Sequence, residues 1–400
     1  MRSLIRPVRV VCLLLALMIL PFGMLIQPAL TEDATDRKEE LDAAFGKIFK
    51  QYKTVGASVL VCKDDQLVYR RNFGYSNRRE EQLVDDQTYF LAASISKFVT
   101  AIHVMQLVER GILDLDSDIS TWLGYTVRNP YFKKTPLTLR MLMTHTASVK
   151  ETGSFSNNPK IGLQAMIGEG RKSAFGNFYK TEPGRKYRYS NFGAGIIGCI
   201  VEAVTGKNFN DSITEDLFVP LGIDAAYSGT LLANPDDISY LYTAGAKHTF
   251  QARSKTLNAP WDSSVNPDTH FKVSFGSLWI RPADLCKLAR MLCNGGTVDG
   301  VTILQPETVE EMLSEQKGKG DVLCDTPYGL NVHREKTLLK GSLFYGHQGK
   351  IEDLLSNVYF EPESGFVFVL MTNGCSSKMN DHVAIITRKL FELSWKQFSQ

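Results

Sequence analysis

Apolar residues recur at helical spacing through Leu41, Ala44, Phe45, Ile48, Phe49 and Tyr52, which predicts an amphipathic helix over about 37–52. The pattern then shortens to strands: Ala57-Ser-Val-Leu-Val-Cys62 and Gln66-Leu-Val-Tyr69 flank the polar Lys63-Asp-Asp65, a hairpin signature. From about 94 to 295 the periodicity is mostly helical and broken by glycine, proline and asparagine, with clear helices over 94–110, 191–205 and 283–292. Strands return at 353–360 and 365–372, joined by the turn-rich Glu361-Pro-Glu-Ser364, and a last helix is predicted over about 377–396. The order helix, strands, helical insertion, strands, helix predicts an α+β fold: an antiparallel sheet flanked by N- and C-terminal helices, with a large helical insertion. A pocket is expected at the seam between the two regions.

The N-terminus follows a different pattern. Arg2, Arg6 and Arg9 precede an apolar run from Val10 to Ile26, and a polar stretch begins at Thr31. Residues 1–30 therefore read as a signal peptide or an N-terminal membrane anchor, which places the rest of the chain outside the cytoplasm. The remainder reads as one domain over 36–398, with its sheet part at about 36–92 and 296–398 and its mostly helical part at about 93–295. Taking the three N-terminal arginines from 45 Lys and Arg leaves 42 against 43 Asp and Glu, a near-neutral body. That balance gives no electrostatic reason to expect nucleic-acid binding. Of seven cysteines, Cys286 and Cys293 lie on one predicted helix, about 10 Å apart along its axis and too far for a disulfide; buried free thiols are expected.

Ser94-Ile-Ser-Lys97 opens a strongly apolar helix, so both side chains share one helical face and the amine can reach the hydroxyl. A serine hydroxyl needs a base, and a lysine serves as one only when its pKa falls. Phe98-Val-Thr-Ala-Ile102 predicts the burial that would lower it. A second Ser-x-x-Lys, Ser314-Glu-Gln-Lys317, runs into a glycine- and lysine-rich stretch with no means of doing so. Tyr189-Ser190-Asn191 precedes another apolar helix; a tyrosine there can relay protons, and an asparagine amide can hold a substrate carbonyl. Tyr75-Ser-Asn77 repeats the triplet in a loop after the first hairpin. Gly346-His347-Gln348-Gly349 enters a strand, where a glycine would let substrate approach the strand edge closely. No Gly-x-Ser-x-Gly elbow occurs, and the seven histidines are scattered without metal-ligand spacing, so no metal and no cofactor are expected.

In order and spacing, these motifs resemble the serine β-lactamase and penicillin-recognising family, in particular its class C and D-alanyl-D-alanine carboxypeptidase/esterase branch. Leu113-Asp-Leu-Asp116, Leu142-Met-Thr-His-Thr146, Pro220-Leu-Gly222, Arg281-Pro-Ala-Asp-Leu285, Tyr328-Gly-Leu330 and Met371-Thr-Asn-Gly374 are similar to its scaffold segments, with His145 read as structural. The resemblance implies that Ser94 is the acyl-forming nucleophile, Lys97 its buried partner and Tyr189 the proton relay. It further implies that Asn191, His347, Gln348 and Gly349 contact substrate and that the backbone N–H groups of Ser94 and Lys350 form the oxyanion hole. His347 stands where relatives often have a lysine and is expected to be partly charged near neutral pH; Gln348 replaces a hydroxyl residue. The implied activity is a D-Ala-type peptidase or esterase on cell-envelope substrates, with β-lactam hydrolysis and a non-catalytic penicillin-sensing or envelope-binding module as alternatives. The partners implied are a small peptide, ester or β-lactam-like substrate, a cell-envelope polymer, and the membrane if the N-terminal segment is retained.

Overall fold

The structure, a computed structural model, describes residues 32–151, 161–243, 261–316, 328–380 and 383–399. The segment read as signal or anchor lies outside these residues, and among them no helix is long and apolar enough to cross a membrane. The chain separates into Met1–Leu41 and Asp42–Gln400. Of the first unit, the described part is the opening of helix α1 (Glu32–Gln51).

The second unit is built on a seven-stranded antiparallel sheet. Its strands are β1 (Gly56–Lys63), β2 (Gln66–Asn77), β3 (Gln82–Leu83), β4 (His333–Glu335), β5 (Phe344–Ile351), β6 (Leu354–Glu361) and β7 (Phe366–Thr372). They lie in the order β3-β2-β1-β7-β6-β5-β4, so β1 from the start of the chain pairs with β7 near its end. The predicted first hairpin closes through Asp64 and Asp65, both left-handed at φ 49° and 65°. Consecutive left-handed residues match the twist of the flanking strands, and aspartate tolerates that region better than most residues.

Both faces of the central strands are covered. Leu60, Cys62, Val358, Phe360, Val367 and Val369 join the core beneath the helical region. The alternate residues Phe366 and Phe368 meet Phe391 and Trp395 of the C-terminal helix α5 (Ile385–Phe398), with ring centroids 4.9–5.6 Å apart. Each such buried ring contributes about 2–3 kcal/mol of transfer free energy. Phe45 and Phe49 of α1 pack in the same manner on Tyr69 and Phe73 of β2. On the opposite face lie α2 (Ile95–Glu109) and α4 (Pro282–Cys293). Cys62 and Cys286 meet there as buried thiols, with Sγ atoms 3.0 Å apart.

Helix α2 is buried on nearly all sides from Ile95 to Leu107, so it is the axis of the helical region and not a surface helix. Helix α3 (Asn191–Thr205) runs over the residues predicted and is capped by Ser190, whose Oγ accepts from the Gly193 N–H at 2.9 Å. The last helix differs from the expected 377–396. It begins at Ile385 because Met379–Asn380 and Val383–Ala384 pair as a short hairpin, with the Ala384 N–H donating to Gln348 Oε1. A run as polar as Ser376-Ser377-Lys378 supplies no apolar face for an earlier turn.

Candidate active site

Ser94 sits on a turn tied down from three directions. Leu91 O accepts from Ser356 Oγ of β6, the Ala92 N–H bonds Leu278 O, and Ser96 Oγ donates to Ala93 O at 2.6 Å. Ala93 is held at φ +50°, a conformation that costs a non-glycine residue about 1 kcal/mol and persists only where neighbours over-determine it. A serine before a helix commonly caps it, but the Ser94 side chain makes no capping bond. Its hydroxyl is left for Lys97, whose Nζ lies 3.1 Å from Oγ. The Ser94 backbone N–H has no acceptor among the described residues.

Lys97 is 1% exposed. Burial lowers its amine to about 7, with the Glu151 carboxylate pulling the other way. Its remaining partner is Phe275 O at 2.7 Å, and its Nζ stands 4.9 Å from the Tyr189 ring centroid. The Phe275 segment can come this close because α3 carries glycine at 195: a Cβ there would lie 1.9 Å from Phe271 O. Ser274 Oγ bonds Ala194 O, and Thr100 of α2 bonds Ser274 O, so one short segment joins α2, α3 and the lysine.

Tyr189 brings the second motif to the same point. Although 39% of its surface is exposed, its hydroxyl is enclosed and hydrogen-bonds the Ser94 side chain. Burial raises the phenol above its ordinary value despite that bond, so Tyr189 is neutral at physiological pH. His145, read as structural, holds the segment that carries Tyr189. Its carbonyl accepts the Arg188 N–H, its Nδ1 accepts the Ser190 N–H, and its ring lies 4.4 Å from that of Tyr189. Asn191, the first residue of α3, is half-buried beside Tyr189.

The third motif is divided by strand alternation. His347 and Gly349 point to one face of β5 and Gln348 to the other. His347 is buried, its Nδ1–H donating to Gln348 O at 2.8 Å and its Nε2 facing the Tyr328 hydroxyl at 3.3 Å. Burial, then the charges of His333 and Lys97, hold the imidazole well below its ordinary value. It is therefore neutral, which corrects the expectation of partial charge. Gln348 is turned away from Ser94, with Oε1 on Ala384 and Nε2 on Met379 Sδ, so its expected substrate contact is not made by the side chain. Gly349 has a different reason from the one expected. A Cβ there would fall 2.1 Å from Ala92 O, so the close approach is between β5 and the nucleophile's turn. Lys350 is exposed beyond them. The β5–β6 turn joins the pair Ile351↔Leu354, which makes 351, 349 and 347 the residues bonded to β6 and aims the Lys350 N–H out of the open sheet edge.

Sequence reading placed Tyr328 only in a scaffold segment and missed Tyr187, His333 and Glu151, which with it complete this wall. The rings of Tyr187 and Tyr328 both lie within 6 Å of His145, and that of His333 is 4.3 Å from His347. Nothing in the local sequence signals the three that were missed, because each is brought in by a separate loop or edge strand. The two duplicate motifs are elsewhere. Asn77 Oδ1 accepts from the Arg79 N–H, and Ser314 Oγ bonds Glu311 O. Among the described residues no cluster of His, Cys, Asp and Glu could hold a metal.

The family model described as Beta-lactamase matches residues 41–390, and the chain belongs to that family of serine hydrolases. It is 26% identical over 343 residues to penicillin-binding protein 4 of Amycolatopsis lactamdurans, covering 82% of this chain and 84% of that one. It is also 26% identical over 236 residues to esterase EstB of Burkholderia gladioli, covering 56% of this chain and 59% of the esterase, less than two thirds of its length. Among solved structures, the octameric penicillin-binding protein homologue from Pyrococcus abyssi superposes with a TM-score of 0.68 at 20% identity, over 90% of this chain and 77% of that one. That likeness establishes the β-lactamase-like α+β fold.

Proposed function

We propose that this chain is an extracytoplasmic hydrolase that cleaves peptide or ester bonds of cell-envelope substrates through an acyl-enzyme on Ser94. The observation that carries the reading is the Lys97 amine, buried, lowered to about 7 and within hydrogen-bond distance of an uncapped Ser94 hydroxyl. In its neutral form Lys97 takes the Ser94 proton while Ser94 Oγ bonds the substrate carbonyl carbon. The oxyanion that forms is met by the N–H groups of Ser94 and Lys350. The proton then passes through Tyr189 to the departing oxygen or nitrogen as its bond to carbon breaks. Water attacks the resulting ester by the reverse route, releasing the acid and returning the proton to Ser94. Asn191, beside Tyr189, is assigned to the substrate carbonyl. Support for the location is the arginine-led apolar segment at 1–30, and support for the substrate class is kinship with proteins named as a penicillin-binding protein and an esterase.

Because the reactive lysine is the unprotonated one, activity depends on pH with a definite sign. Below pH 7 the fraction of neutral amine falls tenfold per unit; above it the fraction saturates. The pH–rate profile of kcat/KM on a p-nitrophenyl ester is expected to rise with unit slope up to about pH 7 and then level. A rising limb centred above pH 9 would mean that Lys97 is not the base. The direct test is intact-mass analysis after exposure to a penicillin and, separately, a fluorophosphonate. Wild type is expected to gain one adduct with the fluorophosphonate and Ser94→Ala none; no adduct on wild type with either reagent removes the proposal.

A further inference from the structure

The site contains a carboxylate that the acyl-transfer chemistry does not use. Glu151 is exposed at the rim, and its Oε1 accepts the backbone N–H of Asn191. That N–H belongs to the first turn of α3, whose orphan donors favour an anion. The other oxygen, Oε2, has no partner among the described residues, and no cation pairs with the carboxylate there. The neighbouring cations are engaged elsewhere: Lys150 Nζ lies 5.7 Å and the Arg188 guanidinium 4.5 Å from the centre of the Tyr179 ring. The negative charge is felt at the reacting centre, where it acts on both Lys97 and Tyr189.

Among the described residues no lysine or arginine forms an ion pair with Glu151, and the positive groups acting at the site are Lys97 and His333. His145 and His347, on which the Lys97 charge acts, are both buried and neutral. The Lys350 ammonium, on an exposed side chain, acts on Cys375 and not on Ser94's partners. A substrate carboxylate next to the scissile bond would find a like charge in Glu151. An ammonium there would find an oriented carboxylate with a free oxygen.

We propose that Glu151 receives a free α-ammonium on the acyl half of the substrate, so that the enzyme cleaves aminoacyl esters or amides and not peptides that end in a carboxylate just past the cleaved bond. This rests on the Ser94 acyl-enzyme reading. The α-ammonium is two bonds from the carbonyl carbon that Ser94 attacks, and Glu151 is held by the backbone of Asn191, two residues beyond the Tyr189 whose hydroxyl bonds Ser94. Asn191 then serves twice: its N–H orients the receiving carboxylate and its side chain faces the carbonyl.

The test uses D-alanine p-nitroanilide and its N-acetyl counterpart, in which a neutral acetamide replaces the ammonium, with p-nitrophenyl acetate reporting the Ser94 chemistry. Wild type is expected to favour the free amine in kcat/KM by about tenfold to a hundredfold, the range for a charge-assisted hydrogen bond. Glu151→Gln is expected to erase most of that ratio and Glu151→Asp to restore part of it. Equal rates on the two anilides, or preference for the acetylated one, overturn the proposal. Turnover of p-nitrophenyl acetate with Ser94 labelling but neither anilide cleaved overturns it while leaving the acyl-enzyme reading intact. Absence of both acetate turnover and labelling takes down the two together.

Discussion

Replacing Lys97 with methionine is expected to lower kcat/KM by about 10^4-fold while raising the melting temperature by a few degrees at pH 7. The two effects have one cause. The amine is buried, and its value near 7 in the folded chain lies far below its ordinary 10.5. The unfolded chain therefore binds this proton more tightly, and the folded state bears the difference, on the order of 5 kcal/mol. For a lowered lysine the penalty is full below pH 7 and fades as pH rises towards 10.5. Methionine fills similar volume without the charge, but it leaves Phe275 O without its 2.7 Å donor, which returns about 2 kcal/mol. The net gain is about 2–3 kcal/mol, and it should shrink between pH 7 and pH 10. Thermal melts of both proteins across that range, with ester hydrolysis beside them, measure it. A variant that is inactive and also melts lower at pH 7 would mean that the lysine is not held under this penalty.

Gly349→Ala is expected to cost about 3 kcal/mol of stability and at least about 100-fold in kcat/KM. The added methyl would stand 2.1 Å from Ala92 O and 3.1 Å from Ala93 Cβ. Neither can yield cheaply. Ala92 is bonded through its N–H to Leu278 O, and Ala93 already sits at φ +50°. The strand must therefore move off the turn, carrying the Lys350 N–H away from the Ser94 N–H. Gly46 in α1 supplies the contrast, since nothing lies within 4 Å of its Cβ position and its backbone is helical. Gly46→Ala should gain up to about 1 kcal/mol and leave turnover unaltered. Urea titrations and kinetics on both variants decide the matter; a Gly349→Ala enzyme of normal stability and rate would place the close contact elsewhere.

Much of the fold was legible because it follows from local pattern. The Lys63-Asp-Asp65 turn, the paired strands near the C-terminus and the helix at 191–205 follow from periodicity, left-handed turn residues and a serine cap. The late start of α5 was not legible, since the Gln348 side chain that holds Ala384 comes from a strand 36 residues earlier. In the candidate site, Ser94 and Lys97 are one helical turn apart, so their meeting is a local fact. The burial of Lys97 was also foreseeable from the apolar residues that follow it.

Other features depend on what the fold packs around those residues. Whether His347 is charged is decided by its burial and then by His333 and Lys97, residues 14 and 250 positions away along the chain, which keep it neutral. The side to which Gln348 points is set by pleat and register. Gly349 is needed because Ala92 stands behind it. Glu151 acquires its place at the reacting centre through the N–H of Asn191. The sequence by itself determined the elements, their order and the serine–lysine pair, because those arise from neighbours along one helix or hairpin. The tertiary structure alone decided protonation states, the reason for the glycine and the charge facing the substrate, because those depend on desolvation and on groups distant in the chain.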